Sequence, residues 1–197
     1  MINFPVHLLK PAPARHWPCR GPSQQAAIHI PLHPFTLQGE VVETSIRLDD
    51  IALDLSDLRA HENRDYRFPE NPENGYIDGS LYLQGQHVPV DVTLLSFGAL
   101  GPEGLAARLA GTIAFAAAGR NGWQDVSLDL PFVLEPPPTP AQIDTAVAAA
   151  IAATGASNVR DAGKLMAWLV RAHPNWDDRR ALYERVCQHL QTDGGAR

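Results

Sequence analysis

Apolar and polar residues alternate along the middle of the chain. Val42, Thr44, Ile46 and Leu48 alternate with Glu43, Ser45 and Arg47, and Ile51, Leu53 and Leu55 with Ala52, Asp54 and Ser56. A period of two marks a strand with one buried face. The pattern returns in Tyr76–Leu83 and His87–Leu95, separated by Gln84-Gly85-Gln86. That spacing predicts a hairpin with a three-residue loop, in which Gly85 supplies a positive φ. Ile77, Gly79, Leu81 and Leu83 share one face, and Val88, Val90, Val92 and Leu94 share a face of the next strand. Leu105–Ala118 alternates again, with Leu105, Leu109, Ile113 and Phe115 on one side and small alanines that predict close packing on both faces. Val126, Leu128, Leu130 and Phe132 make a last strand. Turns are expected at Gly98–Gly104 and at Gly119-Arg120-Asn121-Gly122. The expectation is five or six antiparallel strands in a sandwich or a strongly curved sheet over residues 35–134.

The period then changes. Glu135-Pro136-Pro137-Pro138-Thr139-Pro140 reads as a stiff linker, residues 135–140, between two domains. Thr139 is placed to cap a helix with Pro140 at its first position. Ile143, Val147 and Ile151 recur at helical spacing, and Gly155 is placed to end that helix. Ser157 or Asn158 caps a second helix, with Val159, Ala162, Met166 and Leu169 as its buried stripe and Arg160, Lys164 and Arg171 on another face. After His173-Pro174, Asn175 caps a third helix, with Asp177 and Asp178 in its first turn and Leu182, Val186 and Leu190 as its apolar stripe. The fold class is thus α+β: an antiparallel β-sheet domain followed by a three-helix tail over residues 141–192.

Two stretches break these periods. Residues 1–34 carry seven prolines, at positions 5, 11, 13, 18, 22, 31 and 34, and are expected to form an irregular arm with at most an edge strand at Ala27–Ile30. Leu58–Gly75 is charged and punctuated by Pro69, Pro72 and Gly75, so residues 58–75 read as a long polar loop.

Charge is uneven along the chain. The net charge is −6. Residues 1–140 carry nine Lys/Arg against sixteen Asp/Glu, and residues 141–197 carry seven against six. The front is a poor electrostatic partner for nucleic acid, while the tail is locally basic through Arg160, Lys164, Arg171, Arg179, Arg180 and Arg185. Cations spaced along helices contact phosphates without reading bases. An ordinary solvated face, with Asp161 and Glu184 neutralising neighbours, is the competing reading. The two cysteines, Cys19 and Cys187, suit free thiols in a reducing compartment. Residues 1–17 show neither a cationic n-region nor a long apolar run, and no stretch is long enough to span a bilayer as a helix. Cytoplasmic residence without a membrane partner is the expectation.

Nucleotide-loop, zincin, nucleophile-elbow and paired Cys-x-x-Cys motifs do not occur. His16, Cys19, His29 and His33 raise a metal reading, which the intervening prolines oppose by removing regular helical spacing; no metal and no cofactor are expected. Tyr76, Asp78, Tyr82, His87 and Asp91 share parity on the predicted hairpin. They are a candidate patch for a polar ligand or acid–base work, against the plainer reading of a solvated sheet face with cross-strand polar pairs. The loop His61–Phe68 mixes both charge signs with Tyr66 and Phe68, either a protein-contact surface or a solvated loop with its aromatics tucked down.

One segment carries a resemblance. Ile151, Thr154-Gly155-Ala156-Ser157, Asp161, Gly163-Lys164 and Met166, followed by Asp178, Leu182, Val186 and Leu190, resemble the C-terminal tail domain shared by the B subunit of aspartyl/glutamyl-tRNA amidotransferases and the YqeY proteins. The chain departs from that pattern at Ala162, where Met is usual, at Arg179-Arg180, where Gly-Lys is usual, and at the rebuilt turn His173-Pro174-Asn175-Trp176. The resemblance spans residues 147–190 only. It implies a small helical module that helps hold tRNA, with Lys164 the first residue to test. Residues 1–138 do not resemble the amidotransferase body, so its catalytic apparatus is not carried over. Gly155 and Gly163 also suit helix termination and close helix packing in any partner-binding bundle. The leading expectation is a non-catalytic binding protein whose tail contacts RNA. The alternatives are an accessory or immunity-like protein that binds a protein partner through the sheet and residues 58–75, and an enzyme or small-ligand binder at the Tyr76/Asp78/His87 patch.

Overall fold

A computed structural model describes residues 2–20, 23–120, 122–173, 176 and 179–193, leaving aside the side chains of Cys19, Arg20, Arg179, Arg180, Ala181, Thr192 and Asp193. The chain is α+β and divides into two compact units, Met1–Pro136 and Pro137–Arg197. The expected caps at Asn175, Asp177 and Asp178 lie outside the described residues.

The first unit is built on β1 (Arg15–Arg20), β2 (Gln25–Pro31), β3 (Phe35–Leu37), β4 (Glu40–Val42), β5 (Ser45–Ile51), β6 (Arg64–Arg67), β7 (Asp78–Leu83), β8 (Gln86–Gly101), β9 (Gly104–Ile113) and β10 (Val126–Leu134). One curled antiparallel sheet runs in the order β1-β2-β5-β7-β8-β9-β10. β8 is long enough to take two partners on one edge, β7 opposite Gln86–Asp91 and β6 opposite Leu94–Phe97, while β9 follows its other edge. β3 and β4 form a separate hairpin.

β1 and β10 stand at the two ends of the sheet order, and the N-terminal segment joins them. Ala14 and Leu134 form a parallel bridge, in which Ala14 N–H donates to Val133 O and Glu135 N–H to Ala14 O, both at 2.8 Å. At the other end of β10, Ile2 bridges Trp123 in parallel, with Ile2 N–H donating to Gly122 O at 2.9 Å. The segment thus meets the β10 side at both ends, while between them Pro11 bridges Leu32, with Ala12 N–H donating to Pro31 O and His33 N–H to Lys10 O, both at 2.8 Å. Phe4 and Leu9 on this segment are buried. The Phe4 ring lies 5.2 Å from Phe115 and 5.6 Å from Trp123.

This corrects the expected irregular arm over residues 1–34. The stretch contributes two strands, and β2 lies inside the sheet between β1 and β5, not at an edge. Among the described prolines, three stand where no ladder N–H is required. Pro5 precedes the short turn Val6–Leu8, Pro18 falls where the β1 register shifts between Trp17 and Arg20, and Pro31 ends β2. The expected polar loop over residues 58–75 is also corrected. A single helical turn at Leu58–His61 leads into β6, whose Tyr66 packs against the core. Buried His61 fastens this stretch: its Nε2 lies 2.7 Å from Asp54 O and its Nδ1 2.8 Å from the Tyr66 hydroxyl. A carbonyl only accepts, so Nε2 carries a proton and donates to it.

The alternating apolar residues meet in one core that includes Ile28, Ile30, Ile46, Leu48, Leu81, Val90, Leu109 and Leu130. Two details differ from the simple period. The β7–β8 loop is two residues long, not three, because Gln84 and Gly85 both take positive φ, 52° and 76°, and Leu83 pairs with Gln86. That geometry matches the twist of the flanking strands. In β8 the register shifts between Val92 and Leu94, so Leu95, not Leu94, returns to the core. The extra residue inverts parity beyond it, as a bulge does. The coil is tight on either side of β8. A side chain at Gly79 would place its Cβ 2.2 Å from Val90 O, and one at Gly111 would place it 2.1 Å from Asp91 O.

The second unit has α1 (Pro140–Thr154), α2 (Ala162–Ala172) and α3 (Arg179–Asp193). Thr139 and Gln142 form a reciprocal capping box with Pro140 at the first position, and Gly155 ends α1 with φ 65°. Asn158 accepts the Arg160 N–H to start a short turn, Val159–Asp161, ahead of α2. The core of this unit includes Val147, Ala150, Leu165, Leu169, Leu182, Val186 and Leu190. The α2 stripe is Ala162, Leu165 and Leu169. Val159, expected inside, lies before the helix proper and is 42% exposed, and Met166 is only partly covered. No helix among the described residues is long and apolar enough to cross a membrane.

Three substitutions test these contacts. Phe4→Ala should cost about 3–5 kcal/mol, the range for a deleted core aromatic, read from urea unfolding followed by far-ultraviolet circular dichroism of the sheet unit. An unchanged unfolding midpoint would show that the segment does not hold the sheet closed. Gly155→Ala should destabilise the helical unit by about 1 kcal/mol, since only glycine adopts that conformation freely. Gly163→Ala should stabilise the unit by about 0.5 kcal/mol, because a methyl there meets nothing within 4 Å. Helical circular dichroism on heating measures both. The same open space means that Gly163 does not serve close helix packing, contrary to the expectation.

Candidate nucleic-acid interface

The basic residues of the helical unit fall into three groups. Arg160, Lys164 and Arg171 are exposed. Lys164 and Arg171 are seven residues apart within α2, two turns along one face, and Arg160 precedes Lys164 by four residues in the turn that opens the helix. Lys164 Nζ lies 3.2 Å from Asp161 Oδ1, and its side chain remains 71% exposed. Arg160 and Arg171 have no ion-pair partner among the described residues. Arg179 and Arg180 begin α3; their side chains lie outside the described residues.

Arg185 belongs to the framework. Its Nε and Nη2 both donate to the Asp144 carboxylate at 2.5 Å, and His189 Nε2 lies 2.9 Å from Asp144 Oδ1. This fork ties α3 to α1 and withdraws Arg185 from the free cations. The hydrogen bonds from Arg185 and then His189 hold the Asp144 carboxyl far below its ordinary value.

Asp161 organises the approach to α2. It accepts from Ser157 N–H at 3.2 Å, from Asn158 Nδ2 at 3.2 Å and from Lys164 Nζ. Its carboxyl is held below its usual range, by the Ser157 N–H first and Lys164 second. The segment Gly155–Asp161 is thereby fixed as a small hydrogen-bonded loop that presents Arg160 and Lys164 outward.

Sequence reasoning missed an aromatic cluster at the far end of α2. His173 stacks on Trp176, with centroids 4.1 Å apart and planes at 11°, and Trp168 meets His173 edge-on at 6.4 Å and 60°. All three are half-buried. Trp168 stands four residues after Lys164 and three before Arg171, so its placement on the basic face was readable from spacing. The closure on His173 and Trp176 was not.

The hairpin patch comes apart in space. Tyr82 faces His87 across β7 and β8, rings 5.4 Å apart and edge-to-face, while Asp78 faces Asp91. Ser80 opposite Pro89 separates the two pairs. Four residues of strand span roughly 13 Å, too far for the pairs to act on one atom, and Tyr76 precedes the strand. Burial raises the Asp91 carboxyl first, with the charges of Glu70 and Asp125 adding to it. An apolar groove of about 320 Å³, lined by Pro11, Ala12, Pro13, Pro131, Phe132 and Val133, contains none of the five patch residues. Among the described residues no group of three or more His, Cys, Asp or Glu is arranged to hold a metal ion.

The fork on Asp144 makes a pH prediction. A carboxyl whose folded pKa is depressed adds stability that is complete above its unfolded value near 3.8 and is lost as pH falls below it. Thermal midpoints of the helical unit should therefore decline as pH falls below that value. Asp144→Asn should lower the midpoint by several degrees at neutral pH and flatten the acid decline. An Asp144→Asn curve parallel to that of the unaltered protein would count against the fork. Compared with protein-family models, with curated proteins and with solved structures, the chain matches none.

Proposed function

We propose that this is a non-catalytic cytoplasmic binding protein whose helical unit contacts RNA, a tRNA-like molecule among the candidates. The observation that carries the reading is the exposed cationic row Arg160, Lys164 and Arg171 on the approach to α2 and along it. Such a row neutralises backbone phosphates and positions an RNA without reading its bases. The segment's resemblance to the tRNA amidotransferase tail supports the same partner. The acidic sheet unit is unsuited to phosphate, so contact is confined to the helices.

A second reading, a protein partner on the sheet unit, rests on a different observation. Val41 and Tyr82 are 72% and 52% exposed on neighbouring hairpins. Thr44 Oγ1 donates to Tyr82 O at 2.5 Å and Gln84 Nε2 to Glu40 Oε2 at 3.3 Å, so the two hairpins hold one surface.

Titration of labelled tRNA with the full chain tests the leading reading. Three phosphate contacts predict a slope of log affinity against log salt of roughly −2 to −3, and Lys164→Glu should reduce its magnitude by about one. Salt-independent binding, or none at low salt, would overturn the RNA reading. Capture of a protein that survives ribonuclease and is lost on Tyr82→Ala would favour the second.

A further inference from the structure

We infer that the Trp168–His173–Trp176 cluster is a stacking platform for an unpaired nucleotide, which makes single-stranded RNA the form that the basic face of α2 accepts. This rests on the RNA reading above and narrows it. The helix face supplies Lys164, Trp168 and Arg171 at successive turns, so an aromatic ring stands between two cations. Single-stranded nucleic acid offers that same sequence of groups, phosphates flanking a flat base. A duplex offers phosphates with its bases already stacked inside.

The cluster has the structure such a platform needs. Trp168 and Trp176 rest partly on the helical core, which includes Leu165 and Leu169, so their rings are held in place before a ligand arrives. The near-parallel His173–Trp176 pair is already in stacking geometry. All three cluster residues are only half-buried, and Arg171, three residues after Trp168 in α2, is exposed. The Asp161 pairing holds Lys164 at the opposite end of the same face and reduces its net charge without covering it. Two aromatic residues fully given to the core would be expected to lie buried, as Leu165 and Leu169 do. A purely electrostatic surface would have no use for them.

The test measures the full chain against a labelled oligouridylate of roughly twelve nucleotides and an RNA duplex of the same length. The expected result is at least about tenfold tighter binding of the single strand, with quenching of tryptophan emission that the duplex does not produce. Trp176→Leu keeps an apolar contact with the core and removes the ring; it should weaken single-strand binding about tenfold with the salt slope unchanged. His173→Ala, a substitution away from the core, should weaken it in the same direction, which guards against a Trp176 variant that fails to fold. Lys164→Gln should instead lower the slope for both forms. Equal binding of duplex and single strand, unaffected by His173→Ala and by a folded Trp176→Leu, overturns the platform and leaves the RNA reading standing. Binding of neither form overturns both.

Discussion

The sheet unit depends on one constraint: a curled sheet has two edges, and both must be satisfied. Here residues 2–14 are joined to the β10 side at Ile2·Trp123 and Ala14·Leu134. The segment satisfies backbone groups at its two ends, and its three prolines lack the N–H that a further strand would need. Its buried side chains, Phe4 and Leu9, join the core that the strands enclose. One segment therefore serves both the edge and the core. Gly79 and Gly111 let the backbone pass close to Val90 O and Asp91 O on either side of β8.

Much of this architecture was legible because period-two burial is a local property. The inward faces of β5, β7, β9 and β10 could be read position by position. The proline-rich segment could not be, because proline's lost N–H argues against a strand only where the ladder needs a donor, and that depends on where the partner lies. Leu94 was misplaced for a related reason: alternation holds until an extra residue inverts it, and nothing in Val92-Thr93-Leu94 marks the inversion. The β6 strand hid within a charged stretch because four residues with one half-buried tyrosine leave almost no periodic trace.

The candidate site divides along the same line. Exposure of Arg160, Lys164 and Arg171 follows from helical spacing, and the capping box at Thr139 and the Gly155 terminus follow from local chemistry. The loss of Arg185 to Asp144 needed knowledge of how α3 packs on α1, a relation between residues forty-one positions apart. The hairpin patch failed for an opposite reason. Parity placed its members on one face, but parity says nothing about distance along a strand, and chemistry needs convergence. Tyr66 and Phe68 do tuck down against the core, and the His61 bond that fastens this run to Asp54 had no mark in the sequence.

The closing segment also sets an order of events in time. Residues 2–14 are synthesised before their partners at 123–134, which come more than a hundred residues later. During that interval the segment has no β10 side to meet, and β2 has no closed interior to face. The proline content that obscured its role in the sequence has a use here, since a chain poor in available N–H groups is a weak partner for passing strands. The segment's bridges to Trp123 and Leu134 can therefore form only after those residues have been made.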